Sequence, residues 1–257
     1  MLDKNKILQN INFDIIPTIY IYDEISSTNI LAKQIADNVS DFTVVIAKSQ
    51  TEGYGRFGRS FLSPVGGLYM SVILKGQRYN DTHLTSHTAL SVCKALDPIV
   101  NCDVNIKWIN DILIKNKKVC GISCEQRLNS DGNIAWYIIG IGINILDNFE
   151  NINLPENIKP DLLDKITCLA RHSNIHIDTS LLVSNILNNL YDLPKDNNQM
   201  WKEYSERIPF LDKLLQVISK DKTYTAVAKY INNTGKLVVE YNNELVTLDN
   251  QEVSILI

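Results

Sequence analysis

Glycine and arginine are concentrated in one short segment, Gly53-Tyr54-Gly55-Arg56-Phe57-Gly58-Arg59. Three of the 11 glycines of the chain lie within six residues there, and two arginines alternate with them. Glycine lets the backbone approach a ligand closely, successive N–H groups can then hold an anion, and arginine adds a rigid fork of donors. The composition predicts a loop that binds carboxylate or phosphate. A flexible turn with solvated arginines is the plainer alternative.

Polar residues stand at the ends of three predicted strands. Ser26-Ser27-Thr28-Asn29 follows the first strand, Gln50 ends the second, and Lys107 ends a third, within Lys107-Trp108-Ile109-Asn110-Asp111. If Ile106 faces the core, alternation turns Lys107 to the opposite face. Each group also has a purely structural explanation: a helix cap, an exposed strand end, and a surface lysine before a hairpin. Their convergence on one site is a hypothesis that the fold must test.

Glycines, cysteines and histidines elsewhere give weaker signals. Gly140-Ile141-Gly142-Ile143-Asn144 is either a ligand-contacting segment or a buried strand whose glycines allow close packing. The five cysteines are odd in number and scattered, which predicts reduced thiols. Cys120 and Cys124 would lie roughly 13 Å apart on a strand without a nearby histidine, so no metal site is predicted. The four histidines are interpreted as structural or exposed.

The bulk composition argues against several classes of protein. The 257 residues are 45% hydrophobic and 21% charged, with a net charge of −4, which suits a globular protein with a real core. No block of Lys and Arg gives the footprint of a nucleic-acid-binding surface, and the densest basic run, 115–118, is predicted to be a solvated hairpin tip. No segment has the apolar length of a membrane span or a signal peptide, so we expect a cytoplasmic protein.

Periodicity predicts a strand-rich first part, then helices, then a second group of short strands. The strands of the first part are predicted at 19–24, 42–48, 67–74, 104–108, 112–114, 119–126 and 134–145. Helices are predicted after the possible caps Ser26-Ser27-Thr28, from about Leu84 to Leu96, and around 160–171, 179–191 and 196–207. The fold class is therefore α+β, with a mostly antiparallel sheet and flanking helices in residues 1–210. Four short strands predict a small β-barrel domain at 211–257.

Taken in order, these motifs resemble those of the biotin–protein ligases. The matching set is Ser-Thr-Asn at 27–29, Gln50, the loop at 53–59, Lys-Trp-x-Asn-Asp at 107–111, and Gly-Ile-Gly-Ile-Asn at 140–144. The resemblance implies a class II synthetase-like catalytic domain followed by an SH3-like barrel. Tyr54 stands where the family usually has arginine, and Ile109 where it usually has proline. Phe61 stands where tryptophan is common, which keeps an apolar cover.

The resemblance also implies a role for each matching residue. Biotin would contact Ser27, Thr28, Asn29, Gln50, Gly53, Tyr54, Gly55, Arg56 and Lys107, with Thr28 and Gln50 at its ureido ring. The nucleotide would contact Arg56, Arg59, Lys107 and Asn144. Lys107 and Arg56 would be the catalytic residues, because their charges lie between two anionic reactants. Asp111 would help to orient or deprotonate the lysine that accepts biotin.

The activity that the resemblance implies has two steps. ATP, with Mg²⁺, activates biotin as biotinyl-5′-adenylate, and a lysine of a biotin carboxyl-carrier protein then displaces AMP. A lipoate or octanoate ligase is an alternative, although the Arg-Arg-x-x-Gly-Gly-Gly loop usual in those enzymes is missing. A biotin-binding protein without catalysis is a third possibility that Tyr54 keeps open. Only 26 residues precede Ser27, so we expect no DNA-binding repressor module. Exposed strand edges could support a dimer but do not require one, so we expect a monomer or weak homodimer.

Overall fold

A seven-stranded sheet forms the centre of the chain in the computed structural model, which describes residues 2–55, 58–76, 83–148, 162–192, 197–219, 222–248 and 254–256. Its strand order is β1-β2-β3-β7-β6-β5-β4. The first pair is parallel and all the others are antiparallel. The strands are β1 (Thr18–Ile25), β2 (Thr43–Gln50), β3 (Gly67–Leu74), β4 (Val104–Lys107), β5 (Asp111–Ile114), β6 (Lys117–Leu128) and β7 (Ile134–Asn144).

The helices cover the two faces of this sheet unequally. They are α1 (Lys4–Gln9), α2 (Thr28–Ile35), α3 (Leu84–Leu96), α4 (Leu162–Lys165), α5 (Thr179–Tyr191) and α6 (Asn197–Glu206). One face carries α3 and α5, whose apolar residues pack with Val44, Ile46 and Met70 in the main core. The other face carries α2, which packs its alanines against Val45 and Ile73 in a smaller cluster. The second face is therefore covered at one end only.

The open part of that second face is built from small and polar residues. On β7, Ile138 packs under α2, and alternation places Gly140 and Gly142 on the same face. On β3, Ile73 lies under α2, and Ser71 is its neighbour on that face. Beyond the end of α2, the β3 and β7 side chains on this face are small, which leaves room above the middle of the sheet. This change in side-chain size creates the floor of a cleft.

A second, five-stranded antiparallel sheet follows in the order β11-β10-β9-β8-β12. Its strands are β8 (Leu214–Ile218), β9 (Thr223–Ile231), β10 (Leu237–Tyr241), β11 (Glu244–Thr247) and β12 (Ser254–Leu256). The predicted α+β class with a small C-terminal β unit is thus confirmed. Apolar residues of this sheet, including Leu215 and Val239, belong to the same core cluster as the large sheet. The proposed division at 210/211 stays a prediction.

The prediction of one helix around 160–171 was wrong for the residues that the structure describes. Only α4 and a short 3-10 helix, Leu169–Arg171, are helical there. Between them Ile166 forms a parallel bridge with Lys118, and the Thr167 N–H donates to the Lys118 carbonyl at 2.8 Å. Pairing with the large sheet thus overrides the local helical pattern. The short elements α1 and β12 were not predicted at all.

No helix in the described ranges combines the length and apolarity that crossing a bilayer requires.

Candidate functional site

A cleft of about 780 Å³ opens over the small-residue floor of the large sheet. Its walls come from the start of α2, the end of β2, the arms of the glycine loop, the β4–β5 turn and the small sheet. The candidate residues that line it are Ser27, Thr28, Asn29, Gln50, Tyr54, Gly55, Arg59, Lys107 and Asp111. Motifs spread over more than 80 residues of sequence therefore meet in one place. Arg56 lies outside the described residues.

Gln50 and Thr28 meet because β1 and β2 are parallel, so that their carboxyl ends share one edge. The register pairs Ile25 with Gln50, and α2 begins three residues after Ile25. The Gln50 Oε1 accepts hydrogen bonds from the Thr28 N–H at 2.8 Å and from the Thr28 hydroxyl at 3.1 Å. The N-cap residue Ser27 makes no side-chain capping bond. Gln50 therefore satisfies the helix N-terminus in place of the usual cap.

Asn29 is the centre of a buried polar network beside this pair. Its amide nitrogen donates to the Ser123 hydroxyl at 3.0 Å, and its oxygen accepts from the Ser71 hydroxyl at 2.5 Å. Only 4% of Asn29 is exposed, so both ends of its amide need such partners. The network fixes the amide orientation at the wall of the cleft. Because the members that line the cleft, Asn29 and Ser123, are uncharged, this end of the cleft is polar and neutral.

The described parts of the glycine loop form two antiparallel arms. Tyr54 bridges to Ser60, the Gly55 N–H donates to the Arg59 carbonyl at 2.7 Å, and the Phe61 N–H donates to the Gly53 carbonyl at 2.8 Å. Gly53 itself is not among the described lining residues. A Cβ there would lie 2.4 Å from the Ser63 hydroxyl and 2.6 Å from the Phe61 carbonyl, so glycine is needed for the arms to close.

Phe61 covers part of the cleft floor. A Cβ on Gly142 would lie 2.5 Å from its ring, so the ring rests on bare β7 backbone. The same ring contacts Tyr69 edge-on at 6.4 Å between centroids and lies 5.5 Å from the Lys118 ammonium. The glycine of the Gly-x-Gly segment thus makes space for an aromatic side chain. Close backbone packing, one of the two interpretations of this segment, explains Gly142.

Lys107 is largely buried at the other end of the cleft. It makes neither a hydrogen bond nor a close ion pair with any residue in the described ranges. Burial lowers the pKa of the Lys107 ammonium, and the charges of Lys118, Arg59 and Lys165 lower it further, while Asp111 acts in the opposite sense. An anion placed here would relieve both the desolvation and the repulsion between like charges.

Lys118 is a lining residue that the sequence did not single out. The run 115–118 was predicted to be a solvated tip, which holds for Lys115 and Lys117 but is wrong for Lys118. Its ammonium bonds the Asp111 carboxylate at 2.6 Å. In β6 the register with β5 shifts, so that Cys120 pairs with Ile112 and Lys118 with Leu113.

The extra residue in this bulge, Val119, explains why Lys118 faces the cleft. Gly121 lines the cleft. Strict alternation along β6 would therefore place residues 119 and 117, and not 118, on the face that lines the cleft. The inserted residue reverses the alternation, so Lys118 enters the cleft and Lys117 is exposed. No local sequence pattern predicts this bulge.

Asn144 does not line the cleft among the described residues, although the resemblance assigns it to the nucleotide. It is buried, and its amide nitrogen donates to the Thr167 carbonyl at 3.0 Å. Thr167 follows Lys165 and Ile166, which do line the cleft. Asn144 therefore holds the segment that carries these two residues against the end of β7.

The small sheet also contributes to the wall of the cleft. Lys213, Ile218 and Ile255 line it, and they come from or precede β8 and β12. The turn before β10 is tied to the lysine motif, because the Trp108 indole N–H donates to the Gly235 carbonyl at 3.0 Å. No sequence motif indicated a site residue in this region.

Among the described residues, no three His, Cys, Asp or Glu side chains are close enough together to hold a metal ion. Asp111 is the carboxylate that lines the described part of the cleft, and Lys118 already bonds it. Magnesium binds few protein carboxylates and prefers phosphate oxygens, so a nucleotide would have to bring most of its ligands.

Comparison with known proteins gives a consistent result. Residues 22–144 match the model of the biotin/lipoate A/B protein ligase family. The chain is 36% identical over 169 residues to the bifunctional ligase/repressor BirA of Bacillus spizizenii, covering 64% of this chain and 50% of that protein. It is 32% identical over 123 residues to the biotin–[acetyl-CoA-carboxylase] ligase of Paracoccus denitrificans, covering 46% of this chain and 51% of that protein.

Among solved structures, the fold is similar to the biotin protein ligase of Aquifex aeolicus in complex with biotin and ATP. The TM-score is 0.76 and the identity 25%, and the match covers 93% of this chain and 98% of that chain. The chain spans about half the length of the curated relatives it matches.

Proposed function

We propose that the chain is an ATP-dependent biotin–protein ligase, because residues 22–144 match the biotin/lipoate A/B protein ligase family and the fold is similar to a biotin protein ligase. The observation that carries the proposal is the division of one cleft into a neutral polar end and a cationic end. Biotin has the same division, with an uncharged ureido ring at one end and a carboxylate at the other. A cleft of about 780 Å³ lies within the range that small-molecule sites occupy.

The neutral end would hold the ureido ring. Ureido N–H groups need acceptors and its carbonyl needs a donor, and Thr28, Gln50, Ser27 and Asn29 offer amides and hydroxyls of both kinds. The Thr28 hydroxyl donates to Gln50, so its oxygen can still accept a hydrogen bond from a ligand. Tyr54 and Gly55 would close the pocket from the loop side.

The cationic end would hold the reacting groups of the first step. The biotin carboxylate attacks the α-phosphorus of MgATP, the new P–O bond forms, and the bond to pyrophosphate breaks without a proton transfer. The two anions repel each other, and a cation about 4 Å from each contributes roughly 4 kcal/mol per contact at an effective dielectric near 20. Lys107 and Lys118, which line the cleft, would serve this role, and Arg59 would bind the nucleotide together with Arg56.

In the second step, a lysine amine of a biotin carboxyl-carrier protein would attack the acyl carbonyl of the adenylate. The C–N bond forms, the bond between the acyl carbon and the phosphate oxygen breaks, AMP leaves, and the amine proton passes to solvent. Asp111 lies in the cleft, but Lys118 bonds its carboxylate at 2.6 Å. We assign it the task of orienting the incoming amine. Asn144 would act on the nucleotide indirectly, through the segment that carries Lys165.

The proposal is tested by mixing the purified protein with labelled biotin, MgATP and a biotin-acceptor domain. We expect covalent label on the acceptor, and competition by excess biotin but not by lipoate. Lys107→Ala should raise the barrier to adenylate formation by about 2–4 kcal/mol, the scale of one preorganised donor. Pyrophosphate exchange at the wild-type rate in that variant, or preferential use of lipoate, would contradict the assignment. The repressor function in the name of the Bacillus relative is not part of this proposal.

A further inference from the structure

Glu125 lies at the edge of the cleft and connects three segments that are far apart in sequence. Its Oε1 accepts a hydrogen bond from the Tyr54 hydroxyl at 3.0 Å, across 71 residues. The Asn29 amide nitrogen lies 3.5 Å from the same oxygen. Its other oxygen bonds the Lys33 ammonium of α2 at 2.5 Å. No motif in the sequence pointed to Glu125 or to Lys33.

The contact with Tyr54 joins the loop to the body of the protein. The other bonds described for this arm are its pairing with the second arm, such as the Tyr54–Ser60 bridge, and the packing of Gly53 at its base. The Tyr54 side chain reaches beyond these to β6, and the Lys33 ammonium lies 5.2 Å from the centre of its ring. The arm is thus fastened at a point remote from its base.

Lys33, Tyr54 and Glu125 have complementary charges and complementary hydrogen-bond donors and acceptors. Burial of the Lys33 ammonium opposes its charge, but hydrogen bonds to Glu125 and Tyr54 outweigh this effect and raise the pKa of Lys33. Burial raises the pKa of the Tyr54 phenol, which keeps the hydroxyl protonated as the donor to Glu125. Lys33 thereby balances the charge of Glu125, so no net negative charge faces a cleft built for anions.

We propose that Glu125, held by Lys33, is a positioning residue that sets the biotin pocket by fixing Asn29 on one side and the Tyr54 arm on the other. The inference rests on the proposed function. It predicts that replacing Glu125 weakens the binding of biotin and not the binding of the nucleotide, because Glu125 contacts the neutral end of the cleft. It also predicts that an acceptor oxygen at position 125 matters more than the negative charge.

The test compares Glu125→Leu, Glu125→Gln and Tyr54→Phe, with Tyr230→Phe as control because Tyr230 is an exposed tyrosine of β9. Biotin and MgATP binding are measured by calorimetry. Glu125→Leu should weaken biotin binding about tenfold, the scale of one hydrogen bond to a charged group, and leave MgATP binding within about twofold. Glu125→Gln keeps the acceptor and should recover most of this loss. The double variant Tyr54→Phe/Glu125→Leu should lose less than the sum of the single losses.

A second measurement needs no substrate. Amide hydrogen exchange of the described arms, 53–55 and 59–61, should be faster in Glu125→Leu and Tyr54→Phe than in wild type, and unchanged in Tyr230→Phe. Equal exchange in all four proteins would overturn the inference even if the enzyme is active. Equal loss of biotin and MgATP binding in Glu125→Leu, or no recovery with Gln, would also overturn it. A wild-type protein that binds no biotin would instead refute the proposed function, and the exchange data would still decide whether Glu125 fixes the arm.

Discussion

The two ends of the cleft are stabilised in opposite ways. At the neutral end, Gln50 bonds Thr28 and Ser63, and Asn29 bonds Ser71 and Ser123, so the polar groups satisfy one another before any ligand arrives. At the cationic end, the charges of Lys118, Arg59 and Lys165 act on Lys107, and Asp111 is the carboxylate that lines the described part of the cleft.

The difference shows how one cleft can select a ligand with two unlike ends. A satisfied network is rigid, and a ligand gains only the difference between its hydrogen bonds and those it replaces, so this end provides selectivity. A largely buried charge such as that of Lys107, with further cations close to it, is unfavourable until an anion neutralises it, so the other end provides the electrostatic driving force. Lys107 carries the clearest sign of that excess, because burial and neighbouring cations lower its pKa.

The largest effect is expected from removing charge at the cationic end. Lys118→Met should raise the barrier to adenylate formation by about 2–4 kcal/mol, because a positive charge that lines the cleft near the proposed reacting anions is lost. Lys117→Met is the matched control, since Lys117 is the exposed neighbour on β6. The rate of pyrophosphate exchange measures both. Similar losses in the two variants would mean that total charge matters and the bulge at Val119 does not.

A smaller effect is expected at the neutral end. Gln50→Ala leaves the Thr28 N–H and hydroxyl without their acceptor and should weaken biotin binding by about 1–3 kcal/mol. MgATP binding should change little, because Gln50 belongs to the other end of the cleft. Gln216→Ala, an exposed glutamine of β8, is the control. Calorimetric titrations with each ligand provide the measurement, and parallel losses for both ligands would contradict the separation of the two ends.

The smallest predicted effect is the uptake of a proton by Lys107 when MgATP binds. Its pKa is lowered in the free protein, and a bound anion should raise it, so MgATP binding at alkaline pH should take up a fraction of one proton. The affinity should fall as the pH rises through that region. Titrations in two buffers of different ionisation enthalpy measure the uptake, and Lys107→Met should abolish it. Identical binding enthalpies in the two buffers for the wild type would refute the linkage.

The lowered pKa of Lys107 also affects the free energy of unfolding. The effect has the opposite sign to that of a lysine whose pKa is raised by a salt bridge. The unfolded chain binds this proton more tightly than the folded chain, so the Lys107 charge lowers the free energy of unfolding at neutral pH. That loss is recovered as the pH rises from the folded to the unfolded pKa. The cationic end is thus maintained at the expense of stability.

Local sequence patterns were sufficient for elements whose pattern of burial is regular. Strand β3 (Gly67–Leu74) was predicted with its observed ends, because a continuous apolar run in the middle of a sheet has a clear signature. Helix α5 was also predicted with its ends, since Asp178 caps it and apolar residues repeat along one face. The segment 160–171 was predicted wrongly, because its pairing partner, Lys118, lies far away in sequence.

The amino-acid sequence by itself determined which residue types were available: a glycine loop with arginines, a lysine at a strand end, and amide and hydroxyl groups at the ends of the first strands. Only the tertiary structure decided which of them share a cleft. The bulge at Val119 turns Lys118 inward, Thr167 turns Asn144 away, and Glu125 meets Tyr54 across 71 residues. The physical reason is that strand register and long-range hydrogen bonds set side-chain direction, and a shift of one residue reverses the face.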